Sequence, residues 1–208
     1  MVSIPPRWIV VDDTSPDINY SGNSWFAQNG NPITTEDTGL PHQNTLHGTI
    51  TNASLTFKFT GKSPYSSYSS CTEQTPTVGR AVTVKGTIQT QNVSSVDNPT
   101  WVCLLDGDQI GSDISRRPSL PTSSNSWIYC QNFRLTDGPH TLVINVTATE
   151  KPFWFDRIEY APSASEPLEN RTISVSGADD PALHFSAGWV FGQTSQRGAT
   201  MTFDFIGK

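Results

Sequence analysis

The sequence predicts an all-β protein built as an antiparallel β-sandwich, and three observations lead to this fold class. Apolar and polar residues alternate with a period of two along most of the chain. Fifteen glycines and fifteen prolines divide these alternating runs into short segments joined by turns. The longest runs without glycine or proline are rich in β-branched and aromatic residues rather than in alanine, leucine and glutamate, which argues against long helices.

The predicted strands follow one another at short intervals, as in a sandwich. In residues 54–61 the side chains of Leu55, Phe57 and Phe59 point one way and the polar residues between them point the other. Asp106-Gly107 is typical of a hairpin turn. A polar loop reaches to about residue 42, and a low-complexity loop covers 63–77. The predicted strands are 7–13, 17–22, 45–50, 54–61, 81–90, 100–110, 126–135, 140–148 and 153–162.

The pattern of the first strands begins again near the end of the chain. "ISVSGADDPALHFSAGW" (173–189) matches "IVVDDTSPDINYSGNSW" (9–25), and "ATMTFDFIGK" (199–208) matches "ASLTFKFTGK" (53–62). The matched pairs are Pro16 with Pro181, Ile18 with Leu183, Tyr20 with Phe185, Ser21 with Ser186, Leu55 with Met201, Phe57 with Phe203, Phe59 with Phe205, and Gly61 with Gly207. The match keeps the inward positions apolar, so it indicates a structural repeat.

This repeat predicts a β-sandwich domain over 1–163, a linker over 164–171 and a partial second repeat over 172–208. A few strands with one apolar face cannot bury that face alone. We therefore expect residues 172–208 to pack on the first domain, to pair with another chain or to belong to a larger protein. A homodimer formed through 172–208 is one of these alternatives.

The composition of the chain limits the kinds of partner that it can bind and indicates where the protein is located. A net charge of −6 argues against nucleic-acid binding, which needs a basic surface. No run of about eighteen apolar residues exists, so we expect no membrane span. The start of the chain does not resemble a signal peptide. Five Asn-X-Ser/Thr sequons nevertheless favour a secreted or cell-surface protein that lacks its leader here or leaves by another route, and these candidate glycosylation sites are Asn19, Asn52, Asn92, Asn145 and Asn170.

Six motifs of the chain are informative as a set: "VVDDTSPDINYSG", "TLHGTI…SLTFKFTGK", "AVTVKGTI", "TWVCLLDG", "LTDGPHTLVINVT" and "FWFDRIEYAP". Together they resemble the motifs of a large group of uncharacterised basidiomycete, that is fungal, surface proteins with tandem β-sandwich repeats. The resemblance covers about 8–162 and the start of a second repeat after 172. The chain differs from that pattern because it stops inside the second repeat, without a Ser/Thr-rich stalk or membrane helix. More distantly, the order of motifs resembles galactose-binding-like jelly rolls, a fold that many carbohydrate-binding modules share.

The three cysteines allow one disulfide with a free thiol, or three unpaired thiols. Cys103 and Cys130 lie in different predicted strands, where a disulfide between strands or from strand to loop is open. The resembled proteins tend to carry cysteines at these two places, so the resemblance implies a Cys103–Cys130 disulfide. Cys71 then stays free in its loop.

Two groups of residues are candidates for a binding site. Asp12 and Asp13 near the first strand and Asp156 in the last strand are a candidate Ca²⁺ site, because these strands often lie side by side in jelly rolls and Ca²⁺ prefers oxygen ligands. The alternative is that these carboxylates cap turns or pair with Arg157. Exposed aromatic rings can stack on sugars, which makes a second group the candidate ligand site: Trp25, Tyr65, Tyr68 and Trp127. Trp101 and Trp154 in strands are expected in the core.

The sequence favours a non-catalytic, lectin-like module that binds a glycan or polysaccharide outside the cell. Established catalytic motifs are absent, so we expect no enzyme. A structural or adhesive surface module that binds another protein or itself is the alternative. A glycoside hydrolase or lyase is the third hypothesis; it needs two facing carboxylates, which in principle come from Asp106, Asp108, Glu150 or Asp156.

Overall fold

The apolar sides of the strands meet between two antiparallel sheets in the computed structural model of the protein. This arrangement confirms the predicted all-β, sandwich-like fold. Among the described residues no helix is long and apolar enough to cross a membrane. The structure describes residues 7–30, 39–63, 81–89, 99–111, 123–149, 151–175, 182–189 and 197–203.

The strands of the larger sheet are β1 (Trp8–Asp12), β3 (Phe26–Asn29), β4 (Thr45–Thr49), β6 (Val82–Ile88), β9 (Ser124–Asn132), β11 (Phe153–Tyr160) and β12 (Thr172–Ser174). The sheet is organised around one central strand, β11. β1 and β4 pair with successive parts of one edge of β11, and β6 pairs with the other edge. β12, β3 and β9 extend the sheet outward from β1, β4 and β6 respectively.

The strands of the smaller sheet are β2 (Ile18–Ser21), β5 (Ala53–Gly61), β7 (Thr100–Leu105), β8 (Asp108–Ile110) and β10 (Gly138–Thr147). Their order in the sheet is β2-β5-β10-β7-β8. The Asp106-Gly107 pair, with positive φ at both residues, forms the tight turn between β7 and β8 that the sequence predicts.

The core lies between the two sheets, where the alternating apolar positions are buried. Leu55, Phe57 and Phe59 all belong to it, as the alternation in β5 predicts. Trp101 is also in this core, and its indole nitrogen donates a hydrogen bond to the carbonyl oxygen of Tyr129 at 3.0 Å. Trp154 is buried too, but it faces the opposite side of β11, where its ring contacts Phe26.

A disulfide joins the two sheets directly. It links Cys103 on β7 of the smaller sheet to Cys130 on β9 of the larger sheet. This is the pairing that the resemblance implies. Cys71 lies outside the described residues.

Among the residues that the structure describes after the predicted linker, one strand joins the larger sheet and two others form a separate hairpin. β12 pairs with β1, and Ile173 of β12 packs against the core. Arg171, just before β12, donates a hydrogen bond to Asp17 at 2.6 Å. The hairpin consists of β13 (Leu183–Phe185) and β14 (Met201–Phe203). The described part of residues 172–208 is therefore attached to the first domain through β12.

Candidate functional site

Charged side chains form a row on the face of the larger sheet that points away from the core. Val84 and Ile158 point into the core, so their neighbours along each strand point to the other face. On that face Asp12 of β1 lies opposite Arg157 of β11, and Arg157 lies opposite Lys85 of β6. Because these three strands are adjacent, strand pairing alone brings one acidic and two basic side chains together.

A second row lies one step further along the same strands. Glu159 of β11 lies opposite Thr83 of β6, and Thr83 lies opposite Gln131 of β9. The two rows together form one continuous patch. We call it the polar face, defined by six residues: Asp12, Thr83, Lys85, Gln131, Arg157 and Glu159.

Ion pairs connect the charged members of the polar face. Lys85 Nζ and Arg157 Nε both donate to Glu159 Oε1, each at 2.8 Å. The Arg157 guanidinium also contacts the carboxylate of Asp156 and, at 3.3 Å, the hydroxyl of Ser126. The side chains of Lys85, Arg157 and Glu159 are only 13–20% exposed, so their charges are largely removed from water.

The surroundings of Glu159 keep this carboxylate ionised. Burial alone would raise its pKa. The hydrogen bonds from Lys85 and Arg157 and the attraction of their positive charges together outweigh burial, so the pKa of Glu159 lies below its usual range. Glu159 therefore carries its negative charge at neutral pH and acts as the shared acceptor of the two basic side chains.

Residues 39–44, which we call the strap, connect β9 with β11 near the polar face. The strap begins at Gly39, whose carbonyl oxygen accepts a hydrogen bond from Asn125 on β9 at 2.7 Å. It ends in a short 3-10 turn, His42–Asn44, where the backbone N–H of His42 donates to Asp156 Oδ1 at 2.8 Å. Asp156 lies where β11 bulges against β6 and is fully buried. Burial raises the pKa of Asp156, and the attraction of Arg157 and the hydrogen bond from His42 oppose this without cancelling it.

Several buried polar atoms of the polar face and the strap have no hydrogen-bond partner within the part of the chain that the structure describes. Asp12 and Thr83 are only 7% and 1% exposed. A buried polar group without a partner costs about 1–3 kcal/mol, so such atoms are rare and need an explanation. The atoms are Asp12 Oδ1, Thr83 Oγ1, Gln131 Oε1 and His42 Nε2. They are groups with which a ligand can form hydrogen bonds.

The three aspartates of the predicted Ca²⁺ site are neighbours, but their carboxylates accept hydrogen bonds from other groups of the protein. The backbone N–H of Asp13 donates to the carbonyl oxygen of Asp156 at 2.9 Å. The Asp13 carboxylate bonds to Thr45 Oγ1 and His47 Nδ1, each at 2.7 Å, and Asp12 accepts from Thr14. Over the described ranges no three His, Cys, Asp or Glu side chains are grouped to hold a metal ion. The Ca²⁺ site stays a prediction without a ligand set there.

The structure does not bring the predicted sugar-stacking rings together on an open surface. Trp25 packs on Phe153, and its indole nitrogen donates to the carbonyl oxygens of Ser21 and Ser54 at 3.2 and 3.1 Å. Trp127 is half-buried against the core. Tyr65 and Tyr68 lie outside the described residues. Both described rings therefore serve packing at the edges of the core.

The predicted glycosylation sites that the structure describes are all exposed. Asn19 and Asn145 lie on the outer side of the smaller sheet, on the two strands that flank β5. Asn52 lies in the turn before β5, and Asn170 lies just before β12. Asn92 lies outside the described residues. Exposure is the geometry that glycan attachment requires, but it does not by itself show attachment.

Of the carboxylates named for a glycoside hydrolase, Asp106 and Asp108 lie together at the turn between β7 and β8 of the smaller sheet, whereas Asp156 lies on β11 of the larger sheet. Asp106 lies at the end of the smaller sheet, where its carboxylate bonds to His140 Nδ1 at 2.6 Å and to the Thr141 N–H at 2.7 Å. Burial alone raises the pKa of Asp106, but the bonds from His140 and Thr141 prevail and lower it. Asp156 lies buried in the larger sheet. Glu150 lies outside the described residues.

Sequence reasoning missed the polar face, although a signal for it exists. Lys85 stands in "VTVKGT", and Arg157 and Glu159 stand in "FDRIEY", at the positions that alternate with buried residues. A strand pattern assigns such residues to the solvent side, where single charges are ordinary. Only the pairing of β6 with β11 shows that these charges meet.

Comparison with known proteins identifies no relative from which a function can be transferred. No protein-family model, no curated protein and no solved structure matches the chain.

Proposed function

We propose that the protein is a non-catalytic, lectin-like carbohydrate-binding module whose glycan ligand lies on the polar face. The observation that carries this proposal is the presence of buried acceptors and hydroxyls without partners, Asp12 Oδ1, Thr83 Oγ1 and Gln131 Oε1, beside the paired charges. Each sugar hydroxyl donates one hydrogen bond and accepts others, as a serine hydroxyl does. A row of hydroxyls can therefore serve carboxylate, amide and ammonium groups at the same time.

The charge of this region favours a neutral ligand. Lys85 and Arg157 supply two positive charges, whereas Asp12, Asp156 and Glu159 supply three carboxylates within hydrogen-bonding or strand-pairing contact of them. A phosphate or sulfate ligand needs an excess of positive charge. A neutral polyhydroxylated ligand requires no such excess.

Access to the buried atoms depends on the long side chains above them. Lys85 and Gln131 flank Thr83 and are only partly buried. Side chains of this length change rotamer at low cost compared with backbone. A glycan displaces their ends and replaces their contacts with its own hydroxyls.

An extracellular location is part of the proposal. The Cys103–Cys130 disulfide is of the kind that persists in oxidising compartments. The four described sequons are exposed. Both features support a secreted or cell-surface protein.

A structural or adhesive role is the second candidate, and the separate hairpin favours it. Met201 and Phe203 of β14 are 50% and 41% exposed, and neighbouring exposed apolar residues can belong to a protein interaction site. Such a surface suits a protein partner rather than a sugar.

A glycan array that includes fungal and plant polysaccharides, run with Ca²⁺ and again with EDTA, tests the proposed function. We expect selective binding, and we expect the Gln131→Ala variant to bind the same glycans at least tenfold more weakly. Lys58→Ala, an exposed change on the smaller sheet, is the matched control and should bind like the unaltered protein. Loss of binding in EDTA would support the predicted Ca²⁺ site.

Absence of selective binding in both conditions would contradict the proposal and favour the adhesive module. Binding that Gln131→Ala leaves unchanged would keep the glycan but contradict its placement on the polar face.

A further inference from the structure

Two neighbouring strands of the smaller sheet, β7 and β10, carry aliphatic side chains on the outer side of that sheet. The core residues of β7 alternate with Val102 and Leu104, which therefore point outward. The core residues of β10 alternate in the same way with Val143 and Asn145. We call Val102, Leu104 and Val143 the aliphatic cluster. Asn145 lies beside this cluster on the same outer side.

The register of β7 and β10 places the aliphatic cluster and Asn145 at the four corners of a rectangle. Val102 lies directly opposite Asn145, and Leu104 lies directly opposite Val143. The Cβ atoms of residues that face each other across antiparallel strands are about 4.5–5.5 Å apart. Residues two positions apart along a strand are separated by about 6.7 Å. A group attached to Asn145 can therefore contact all three aliphatic side chains.

The aliphatic cluster is in contact with water, and the surface around it carries little charge. Val102 is 36% exposed, and Leu104 and Val143 are half-buried. Among the outward residues that the structure describes on β2, β5, β7 and β10, Lys58 is the one charged side chain. Covering such apolar surface contributes about 25 cal/mol for each Å² removed from water. A group that covers the cluster should therefore stabilise the folded protein.

The residue at the fourth corner is the first of a glycosylation sequon, Asn145-Val146-Thr147. Val146 is buried in the core, whereas Asn145 and Thr147 are both exposed. Because residues two positions apart in a strand share one face, the amide and the hydroxyl that define the sequon lie on the same side as the aliphatic cluster. The strand thus presents the sequon to solvent next to apolar surface.

The sequon at Asn19 provides a comparison on the same sheet. Asn19 of β2 is exposed and points to the same outer side, but the residue opposite it is Thr56. A sugar on Asn19 therefore meets a hydroxyl group, whereas a sugar on Asn145 meets Val102. The two sequons differ in what lies beside them, although both are in strands.

We propose that Asn145 carries an N-linked glycan whose first sugar covers the aliphatic cluster and stabilises the folded protein. In the attachment step the side-chain amide nitrogen of Asn145 forms a bond to the anomeric carbon of an oligosaccharide carried on a lipid diphosphate. The bond from that carbon to the phosphate oxygen breaks, the lipid diphosphate leaves with the electron pair, and the nitrogen loses one proton. The C–H groups of the attached sugar then lie against Val102 and its aliphatic neighbours.

This inference rests on the extracellular location in the proposed function, because a chain meets lipid-linked oligosaccharides on the secretory route. It does not depend on ligand binding by the polar face, which lies on the other sheet. Glycan-array binding is measured with protein made in bacteria, which attach no such glycan. Failure of ligand binding and failure of this inference are therefore observed in separate experiments.

The full chain, secreted from yeast behind an added leader, tests the proposal. Mass spectrometry of its peptides should show a glycan on Asn145. Asn145→Gln and Thr147→Ala each remove the sequon, and both should lower the Tm of the secreted protein by about 3 °C. The same two variants made in bacteria should unfold within about 1 °C of the unaltered bacterial protein. Asn19→Gln is the matched control and should change the Tm of the secreted protein by less than about 1 °C.

The variant Val102→Ser tests the contact between the glycan and the aliphatic cluster. It leaves the sequon intact, so we expect the same occupancy of Asn145. In the Val102→Ser background the decrease in Tm that Thr147→Ala causes should fall to roughly half or less, because the two changes affect one contact.

Three results would overturn the proposal. The first is an unmodified Asn145 in the secreted chain. The second is a glycan on Asn145 whose removal leaves the Tm unchanged. The third is a decrease in Tm that stays the same in the Val102→Ser background, since the glycan would then stabilise the protein without contact to the aliphatic cluster.

Discussion

The outer faces of the two sheets are formed by the same alternation of inward and outward residues. They differ in the exposure of their outward polar side chains to water. On the smaller sheet the outward residues Asn19, Lys58 and Asn145 are exposed. On the larger sheet Lys85 and Glu159 are paired and mostly buried. Ion pairs removed from water contribute little to stability compared with apolar packing, so a gain in stability does not explain the burial of charges on one face only.

Removal of the disulfide between the two sheets should cause the largest change in the free energy of unfolding. The effects of variants on the two outer faces can be compared with this change. Replacing both cysteines in Cys103→Ala/Cys130→Ala opens a loop closed across a sequence separation of 27 residues. We expect the free energy of unfolding to fall by about 3 kcal/mol, because the unfolded chain regains entropy. Urea denaturation of the variant and the unaltered protein measures this loss. A change below about 1 kcal/mol would show that the sheets hold together without the link.

The effect of removing Glu159 on stability should show the difference between the two outer faces most clearly. Glu159→Ala leaves Lys85 and Arg157 partly buried without their shared acceptor. We expect a loss of about 2 kcal/mol in the free energy of unfolding, because an unpaired charge away from water is costly. Lys58→Ala on the smaller sheet should change stability by less than about 0.5 kcal/mol. Equal effects of the two variants, measured by urea denaturation, would remove the contrast between the faces.

The pH dependence of stability should follow the lowered pKa of Glu159. An acid whose pKa is depressed on folding adds stability that is present above its unfolded pKa, near 4.5, and is lost as pH falls through the folded pKa. The stability difference between the unaltered protein and Glu159→Gln should therefore be largest near pH 7 and shrink below pH 4.5. Urea denaturation at a series of pH values measures it. Asp106→Asn should show the same trend more weakly, because Asp106 is half exposed. A difference independent of pH would contradict this assignment.

The smallest effect on stability should accompany a clear effect on binding. Thr83→Val replaces a buried hydroxyl without a partner by a methyl group of similar size. We expect stability to stay the same or rise by up to about 1 kcal/mol, because no hydrogen bond is lost and an unsatisfied group is removed. Glycan affinity should fall. Thr56→Val on the outer side of the smaller sheet is the matched control and should not change affinity. Thermal unfolding and isothermal titration calorimetry measure the two quantities.

The sequence predicted most strands of the fold because alternation in a strand records burial directly. The predicted strand 54–61 corresponds to β5, Ala53–Gly61, and the Asp106-Gly107 turn lies where its turn chemistry indicates. β3, Phe26–Asn29, was not predicted, since it lies at the sheet edge with both sides largely exposed and shows no apolar alternation. The prediction of a single polar loop reaching to about residue 42 was wrong for this strand.

The site was much harder to predict, because it depends on strand order and register. Asp12 and Arg157 are 145 positions apart in the chain and meet only because β1 pairs with β11. The bulge at Asp156 shifts the register against β6, which places Lys85 opposite Arg157. Neither the pairing partner nor the bulge follows from the local sequence. Trp25 and Trp127 were predicted to belong to a sugar site because they are aromatic, whereas in the structure both rings pack against the core.

Chemical-shift mapping of backbone amides tests the central claim most directly. A ¹⁵N-labelled sample of the full chain is titrated with a neutral oligosaccharide selected on the glycan array. We predict that the largest shifts occur at Thr83, Lys85, Gln131, Arg157 and Glu159, with little change at Asn19, Thr56 and Asn145 on the smaller sheet. Shifts concentrated on the smaller sheet or around Trp25, with the polar face unchanged, would contradict the claim that the larger sheet carries the binding site.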